Sequence, residues 1–234
     1  MLLEKMLQSQ GFGSRKHCQQ LIKNGHVSIG EDTVTDLKLR VQTEHLQFRV
    51  FGESYIYREK VYIALNKPQG FECSHQPQHH QSVFSLLPDI LIDRGIAAVG
   101  RLDQDTTGLL LLTDDGQFLH ALTHPKKHVP KVYHVHTADP ITEVQLSQLE
   151  QGVELRNETG LFAATAVQQL DEYHLSLTIH QGVYHQVKRM IAAVGNKVES
   201  LHRQQIGQLV LPELAQGDWI YLSDAQIHLA RQST

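Results

Sequence analysis

The carboxylate of Asp103 is the first group in this chain to account for. It lies in the stretch Gly100–Gly116, GRLDQDTTGLLLLTDDG, directly after Leu102. Asp105 follows two residues on, then Thr106, Thr107 and Gly108, a run of four leucines and a polar turn. An Asp in such a setting can act as a nucleophile or base, ligate a metal, cap a turn or pair with a cation. The leucines behind it read as a buried strand that holds the carboxylate in place.

Asp103-Gln104-Asp105-Thr106-Thr107 also matches the D-x-D-x-T form that one magnesium phosphatase superfamily uses for nucleophile and acid/base. That chemistry wants a strand ending at the first Asp, near the start of a parallel-sheet domain. Here the pair sits mid-chain, and Gly100 and Arg101 separate it from the strand expected at 96–99, so the pattern remains a distant alternative. The sixteen histidines do not supply a metal site either. His75, His79 and His80 fall in CSHQPQHHQS, a Pro- and Gln-rich stretch expected to be a flexible surface loop, with no flanking helix pattern carrying an acidic ligand. Cys18 and Cys73 form neither a spaced metal motif nor a disulfide framework. No G-x-G-x-x-G or P-loop lysine motif occurs, so no nucleotide cofactor is expected.

The elements that must position these groups alternate along the chain. Residues 2–9 and 15–24 read as short amphipathic helices, the second with Cys18, Leu21 and Ile22 on one stripe and Ser14 as its N-cap. Residues 33–50 alternate and end in the strand signal LQFRV. The polar and aromatic stretch 54–60 reads as a linker between a domain at 1–53 and a larger one at 61–234. In the latter, strands are expected at 61–70, ending in a Pro-Gly turn, and at 96–99, 131–138 and 174–180, and helices near 82–87, 117–123, 142–151 and 183–194. Many strands with a few intervening helices predict an α+β (mixed α/β) fold built on a largely antiparallel mixed sheet with flanking helices, not a Rossmann pattern.

At 234 residues, with 41% hydrophobic and 20% charged residues, the chain has the composition of an ordinary globular protein. No apolar run reaches the roughly 18 residues a membrane span needs. The opening Met1-Leu-Leu-Glu-Lys lacks the layout of a secretion signal, so the cytoplasm is the expected compartment. The formal charge of −4 does not by itself advertise a polyanion partner. Its distribution says more: 120–136 has three lysines, five histidines and no acid, and 180–203 has Lys188, Arg189, Lys197 and Arg203 against Glu199 alone. Such patches can bind phosphates on a chain that is acidic overall.

Wider motifs in this order carry a family resemblance. Gly100-Arg101-Leu102-Asp103 with Thr107–Gly116 closely resembles the central motif of the pseudouridine synthases, in the branch that modifies ribosomal RNA. Leu65-Asn66-Lys67-Pro68-Gln69-Gly70 resembles the strand and turn opening their catalytic domain, and Lys131-Val132-Tyr133 their Lys-x-Tyr element. Gly182–Met190 with Ala193–Asn196 resembles the third motif; Leu201-His202-Arg203 and Ile206-Gly207 close the set. Thr106-Thr107-Gly108, Asp114-Asp115-Gly116 and Tyr184–Met190 favour the small-subunit over the large-subunit enzymes. The opening of the chain resembles the S-four (αL) RNA-binding module through Gly13-Ser14-Arg15-Lys16 and Leu21–Val27.

The resemblance implies isomerisation of a uridine in small-subunit ribosomal RNA, by a monomer and with no cofactor or metal. It implies Asp103 as the catalytic carboxylate, Tyr133 against the uracil and Lys188 as the cation that keeps Asp103 ionised. Arg101 would fill the space of the flipped base or hold the flipped nucleotide, and Arg189 would meet phosphate. Thr107 would shape the loop, and Lys131, Gln186 and Arg203 would lie on the RNA-binding side. Arg15, Lys16 and Lys23 would contact phosphates from the small domain. A catalytically silent ribosome-assembly protein sharing the fold would be signalled by loss of Asp103 or Tyr133; both are present.

Overall fold

The protein, seen as a computed structural model, is described over residues 1–232; Ser233 and Thr234, which end the range 61–234, lie outside the described residues. The chain forms two compact units, Met1–Val61 with Leu87–Ile96, and Tyr62–Leu86 with Ala97–Thr234.

In the first unit, helices Leu3–Ser9 and Arg15–Lys23 share a core with a four-stranded antiparallel sheet ordered Asp32–Val34, Val27–Ile29, Gln47–Val50, Glu53–Ile56. The Ser14 hydroxyl accepts from the His17 amide at 3.3 Å, capping the second helix, and Cys18, Leu21 and Ile22 are its buried stripe. The stretch expected as a linker starts inside a hairpin. Glu53–Ile56 pairs with Gln47–Val50 through a turn in which Phe51 and Gly52 both have positive φ, 52° and 84°. The physical reason is aromatic: Tyr55 meets Phe12 edge-on at 5.0 Å and stacks on Phe48 at 5.6 Å, so a polar run hides a half-packed strand. Leu87–Ile96 joins this unit although it falls within the range 61–234. Arg94 reaches the side-chain oxygen of Gln10 and the carbonyl of Arg58, each at 3.0 Å.

In the second unit a nine-stranded sheet is described. Its main path runs Thr165–Gln169, His174–Ile179, Lys131–Thr137, Val198–Ile206, Thr106–Thr113, Tyr62–Lys67, Trp219–Tyr221. Every described pairing in this sheet is antiparallel except Thr106–Thr113 beside Val198–Ile206. Thus the fold is the mixed, largely antiparallel α+β architecture that the alternation predicts. Leu109, Leu110, Leu111 and Leu112 are all at 0% exposure, which is why a strand paired on both edges reads as an unbroken apolar run. Helix Gly116–Thr123, capped by Asp115, lays Phe118 and Leu122 against Leu109 and Leu111. Helix Gln186–Ala193 begins later than the apolar pattern predicts, because His185 takes a left-handed conformation (φ 50°, ψ 35°) and breaks the helical path. Among the described residues no helix is long and apolar enough to cross a membrane.

Gly108 is where the parallel pair closes most tightly. Its φ is +103°, and a Cβ there would lie 2.3 Å from the Arg203 carbonyl oxygen. Any side chain must push two paired strands apart. Gly108→Ala is expected to lower the unfolding free energy by about 3 kcal/mol, measured by urea denaturation. An unchanged midpoint would show that the strands can part freely there.

Candidate active site

The residues of the central motif form a turn between strands. Ala97–Ala98 pairs with the far end of Thr106–Thr113, and the chain then loops through Gly100–Asp105 to enter that strand at Thr106. Asp103 closes the loop through its own carbonyl, which accepts from the Thr106 amide at 3.1 Å. The loop is held from below by Lys67, a fully buried side chain at the end of strand Tyr62–Lys67. Its ammonium donates to the carbonyls of Pro68 (3.0 Å), Gln104 (3.3 Å) and Thr106 (3.0 Å). The Gly70 amide adds a 2.7 Å bond to the Gln104 carbonyl. Burial pushes the Lys67 ammonium below its ordinary pKa, partly countered by the Cys73, Asp105 and Asp103 charges.

Two nitrogen-bearing side chains, Lys188 and His185, stand over the loop. Lys188, in the first turns of helix Gln186–Ala193, lies 3.3 Å from one Asp103 oxygen and 2.5 Å from Asp105. His185, turned by its left-handed backbone, sets its Nε2 3.3 Å from the other Asp103 oxygen. Burial alone would raise the Asp105 carboxyl, but the Lys188 hydrogen bond and charge outweigh it and hold the group below its ordinary value. The Asp103 side chain keeps 30% of its surface exposed, so the ion pairs leave it open to a ligand.

Asp103 lines a cavity of about 460 Å³ together with Arg101, Lys131, Tyr133, Lys188 and Arg203, among others. Tyr133 comes from strand Lys131–Thr137 and is 8% exposed, opposite Arg203 on the neighbouring strand. Arg203 is buried; its Nε donates to the Leu109 carbonyl at 2.8 Å, while its Nη2 has no hydrogen-bond partner among the described residues. Lys131 donates to the Val129 carbonyl at 2.8 Å, and burial, with the nearby Arg203 charge, pushes it down to about 8. A carboxylate, lysine and arginine side chains and an aromatic ring line this pocket, a set of groups that can take a flat polar base.

The other sequence-selected residues divide. Gln186 lines the same cavity, but its side-chain oxygen accepts from the Val183 amide at 3.2 Å, stapling the chain ahead of the helix. Thr107 turns to His202, with its hydroxyl 2.9 Å from Nδ1. Arg189 points away, pairing with Glu158 at 3.1 Å and donating to the Tyr184 and Arg156 carbonyls. In the first unit, Lys16 and Lys23 are exposed, while Arg15 is bound at 2.7 Å to the buried Glu4 with 64% of its own side chain exposed. Sequence reasoning passed over two site residues. Lys67 is signalled by a charge at the end of the apolar run VYIALNK, and His185 lies inside the third motif without a marked role. Among the described residues no group of three or more His, Cys, Asp or Glu side chains converges as a metal set.

The second unit thus brings Asp103, Tyr133 and Lys188 to one cavity, and the chain belongs to the RNA pseudouridylate synthase family. That family's model matches residues 61–193, and the S4 domain model matches residues 1–46. The protein is thus an RNA pseudouridine synthase, an isomerase. It is 41% identical to the ribosomal small subunit pseudouridine synthase A of Vibrio vulnificus strain CMCP6, over 97% of this chain and 98% of that one. It is 39% identical to an uncharacterized RNA pseudouridine synthase of Bacillus subtilis strain 168, over 99% of each. A crystal structure of a pseudouridylate synthase aligns over 98% of this chain and 99% of that one, at 36% identity and a TM-score of 0.70.

Proposed function

We propose that the protein converts one uridine of small-subunit ribosomal RNA to pseudouridine, with Asp103 as the catalytic carboxylate. The observation that carries the reading is Asp103 at the wall of the 460 Å³ cavity, 3.3 Å from both Lys188 and His185 and sharing that cavity with Tyr133. The nearly full-length likeness to an enzyme named for the small ribosomal subunit supports the choice of RNA.

The isomerisation breaks the bond from ribose C1′ to N1 of uracil and forms a bond from C1′ to C5; the C5 proton leaves and N1 takes up a proton, so the atoms balance. The base must leave its helix and enter the cavity, at a cost of a few kcal/mol. Arg101, exposed and lining the cavity, meets the displaced strand; a planar cation suits stacking and phosphate contact together. Tyr133 gives the uracil a ring to lie against, worth about 1–3 kcal/mol by general base–aromatic stacking. The unpartnered Nη2 of Arg203 is a buried donor for a uracil carbonyl. Lys188 lies against both Asp103 and Asp105, so its ammonium keeps a carboxylate partner while Asp103 engages the substrate. The detached base stays between Tyr133 and the loop until C5 faces C1′. Both bonds are exchanged within one nucleotide, so no oxidant, metal or nucleotide enters the balance.

The small unit serves to hold RNA phosphates through Lys16, Lys23 and Arg15, and the enzyme works as a cytoplasmic monomer. RNA affinity is therefore expected to fall with salt. Replacing Lys16 and Lys23 by Ala should lower the slope of log K against log salt by roughly 1 each. Filter binding at several salt concentrations checks this, and an affinity indifferent to salt would contradict it. The substrate is tested by mapping pseudouridines in ribosomal RNA from cells with and without the gene. Loss of one small-subunit site is the expected result; loss confined to the large subunit would overturn the choice of RNA.

A further inference from the structure

A second cavity, of about 590 Å³, borders the first. Arg101, Asp103, His185 and Lys188 line both, so the two share the wall that carries the catalytic carboxylate. The rest of the second cavity comes from Gln104 and Asp105 of the central-motif loop, from Tyr184, and from Glu72 and the Pro- and Gln-rich stretch after it, including His79 and His80. That stretch is built, not loose. One Glu72 carboxylate accepts the amides of Gln78 (3.1 Å), His79 (3.0 Å) and His80 (3.0 Å). His75 stacks on Phe84 at 3.6 Å, and the Ser82 hydroxyl donates to the Ser74 carbonyl at 2.6 Å. These backbone amides hold Glu72 below the usual carboxylate range, as expected for a carboxylate that organises a turn.

Tyr184 is the unusual member of the cavity. It is the most exposed large hydrophobic side chain among the described residues, at 73%, yet it is fixed by stacking on the His185 ring, 3.8 Å between centroids and 19° between planes. His185 in turn touches Asp103. A polynucleotide whose target base occupies the first cavity carries its neighbour past that shared wall.

We propose that the second cavity is the subsite for the nucleotide adjacent to the target uridine, with the Tyr184 ring as the platform on which that neighbour's base stacks. The proposal rests on the pseudouridine synthase reading above and extends it to a residue that holds the RNA next to the target uridine. His79, His80 and Arg101 offer N–H donors to the neighbour's phosphate. Stacking on an exposed aromatic ring is tolerant of base identity but needs a base, because every base has a π-face.

The test measures pseudouridine formation on small-subunit ribosomal RNA, first with wild type, then with Tyr184→Ala and Tyr184→Phe. Once the converted uridine is mapped, it is repeated on RNA carrying an abasic site on either side of it. Tyr184→Ala is expected to raise KM about tenfold with kcat within about twofold of wild type, and Tyr184→Phe to restore KM. With wild type, an abasic site on one side should cost a similar factor; with Tyr184→Ala that second loss should vanish, because ring and base form one contact. An active wild type with KM unchanged in Tyr184→Ala, or with losses that simply multiply on both sides, would overturn the subsite alone. A wild type that forms no pseudouridine would remove the underlying reading and the subsite with it.

Discussion

Asp103→Asn is expected to abolish pseudouridine formation, lowering the rate by roughly 10⁴-fold or more, while the protein stays folded and still binds RNA. Size and shape are preserved in this exchange, so the loss isolates the charge. The fold should tolerate it, because Lys188 retains Asp105 at 2.5 Å and is not left as an unpaired half-buried cation. Lys67 continues to hold the loop through the carbonyls of Gln104 and Thr106, which do not depend on the Asp103 side chain. The measurements are single-turnover conversion for activity and thermal melting for the fold. A melting temperature close to wild type together with undetectable conversion is the expected pair; full turnover would remove Asp103 from the chemistry.

Lys67→Met should damage the same site from beneath. The substitution keeps an unbranched apolar stem, one atom shorter, but removes three charge-assisted hydrogen bonds, each worth about 1.5–3 kcal/mol in general. Relief from burying the ammonium offsets part of this, leaving an expected loss of about 3 kcal/mol in unfolding free energy. The released carbonyls flank Asp103, and a carboxylate displaced by about 1 Å costs on the order of 10²-fold in kcat. Burial also fixes the sign of a pH effect. The folded pKa of Lys67 lies below its unfolded value, so between the two the unfolded chain binds the extra proton and stability rises with pH. The variant should lose part of that alkaline rise and keep the part due to Lys131, which begins at about 8. Urea unfolding at neutral and alkaline pH checks both; a variant as stable as wild type, with the same pH slope, would show that Lys67 does not clamp the loop.

These two residues also show what a sequence can and cannot say about such a site. Asp103, Tyr133 and Lys188 stood out because each lies in a short ordered motif, and the fold brings all three to one cavity. The four buried leucines, the Ser14 cap and the mixed sheet were legible for the same local reason: periodicity and capping act over a few residues. The division of labour around Lys188 was not, because its distances to Asp103 and Asp105 depend on a helix more than eighty positions away closing over the loop. Arg189 shows the converse. Its neighbours in sequence place it beside Lys188, but one position along a helix turns it toward Glu158. Lys67 was visible as a lysine ending an apolar strand, yet only the register with Thr106–Thr113 reveals why burial is tolerated there. The end of the hairpin that runs into 54–60 was masked by polar composition, since Tyr55 packs on Phe48 across the strand pair and on Phe12, which is distant in the chain.

The central claim is that this chain moves the glycosidic bond of a uridine from N1 to C5 through Asp103. Because the C5 hydrogen must leave when C5 bonds to ribose, tritium release from small-subunit ribosomal RNA labelled at uridine C5 reads the reaction directly. Purified wild type, given the RNA both naked and as its assembling particle, should release tritium equivalent to one uridine per RNA with no added metal or nucleotide, and Asp103→Asn should release none. No release by wild type from either form of the RNA, or equal release by the variant, would contradict the account.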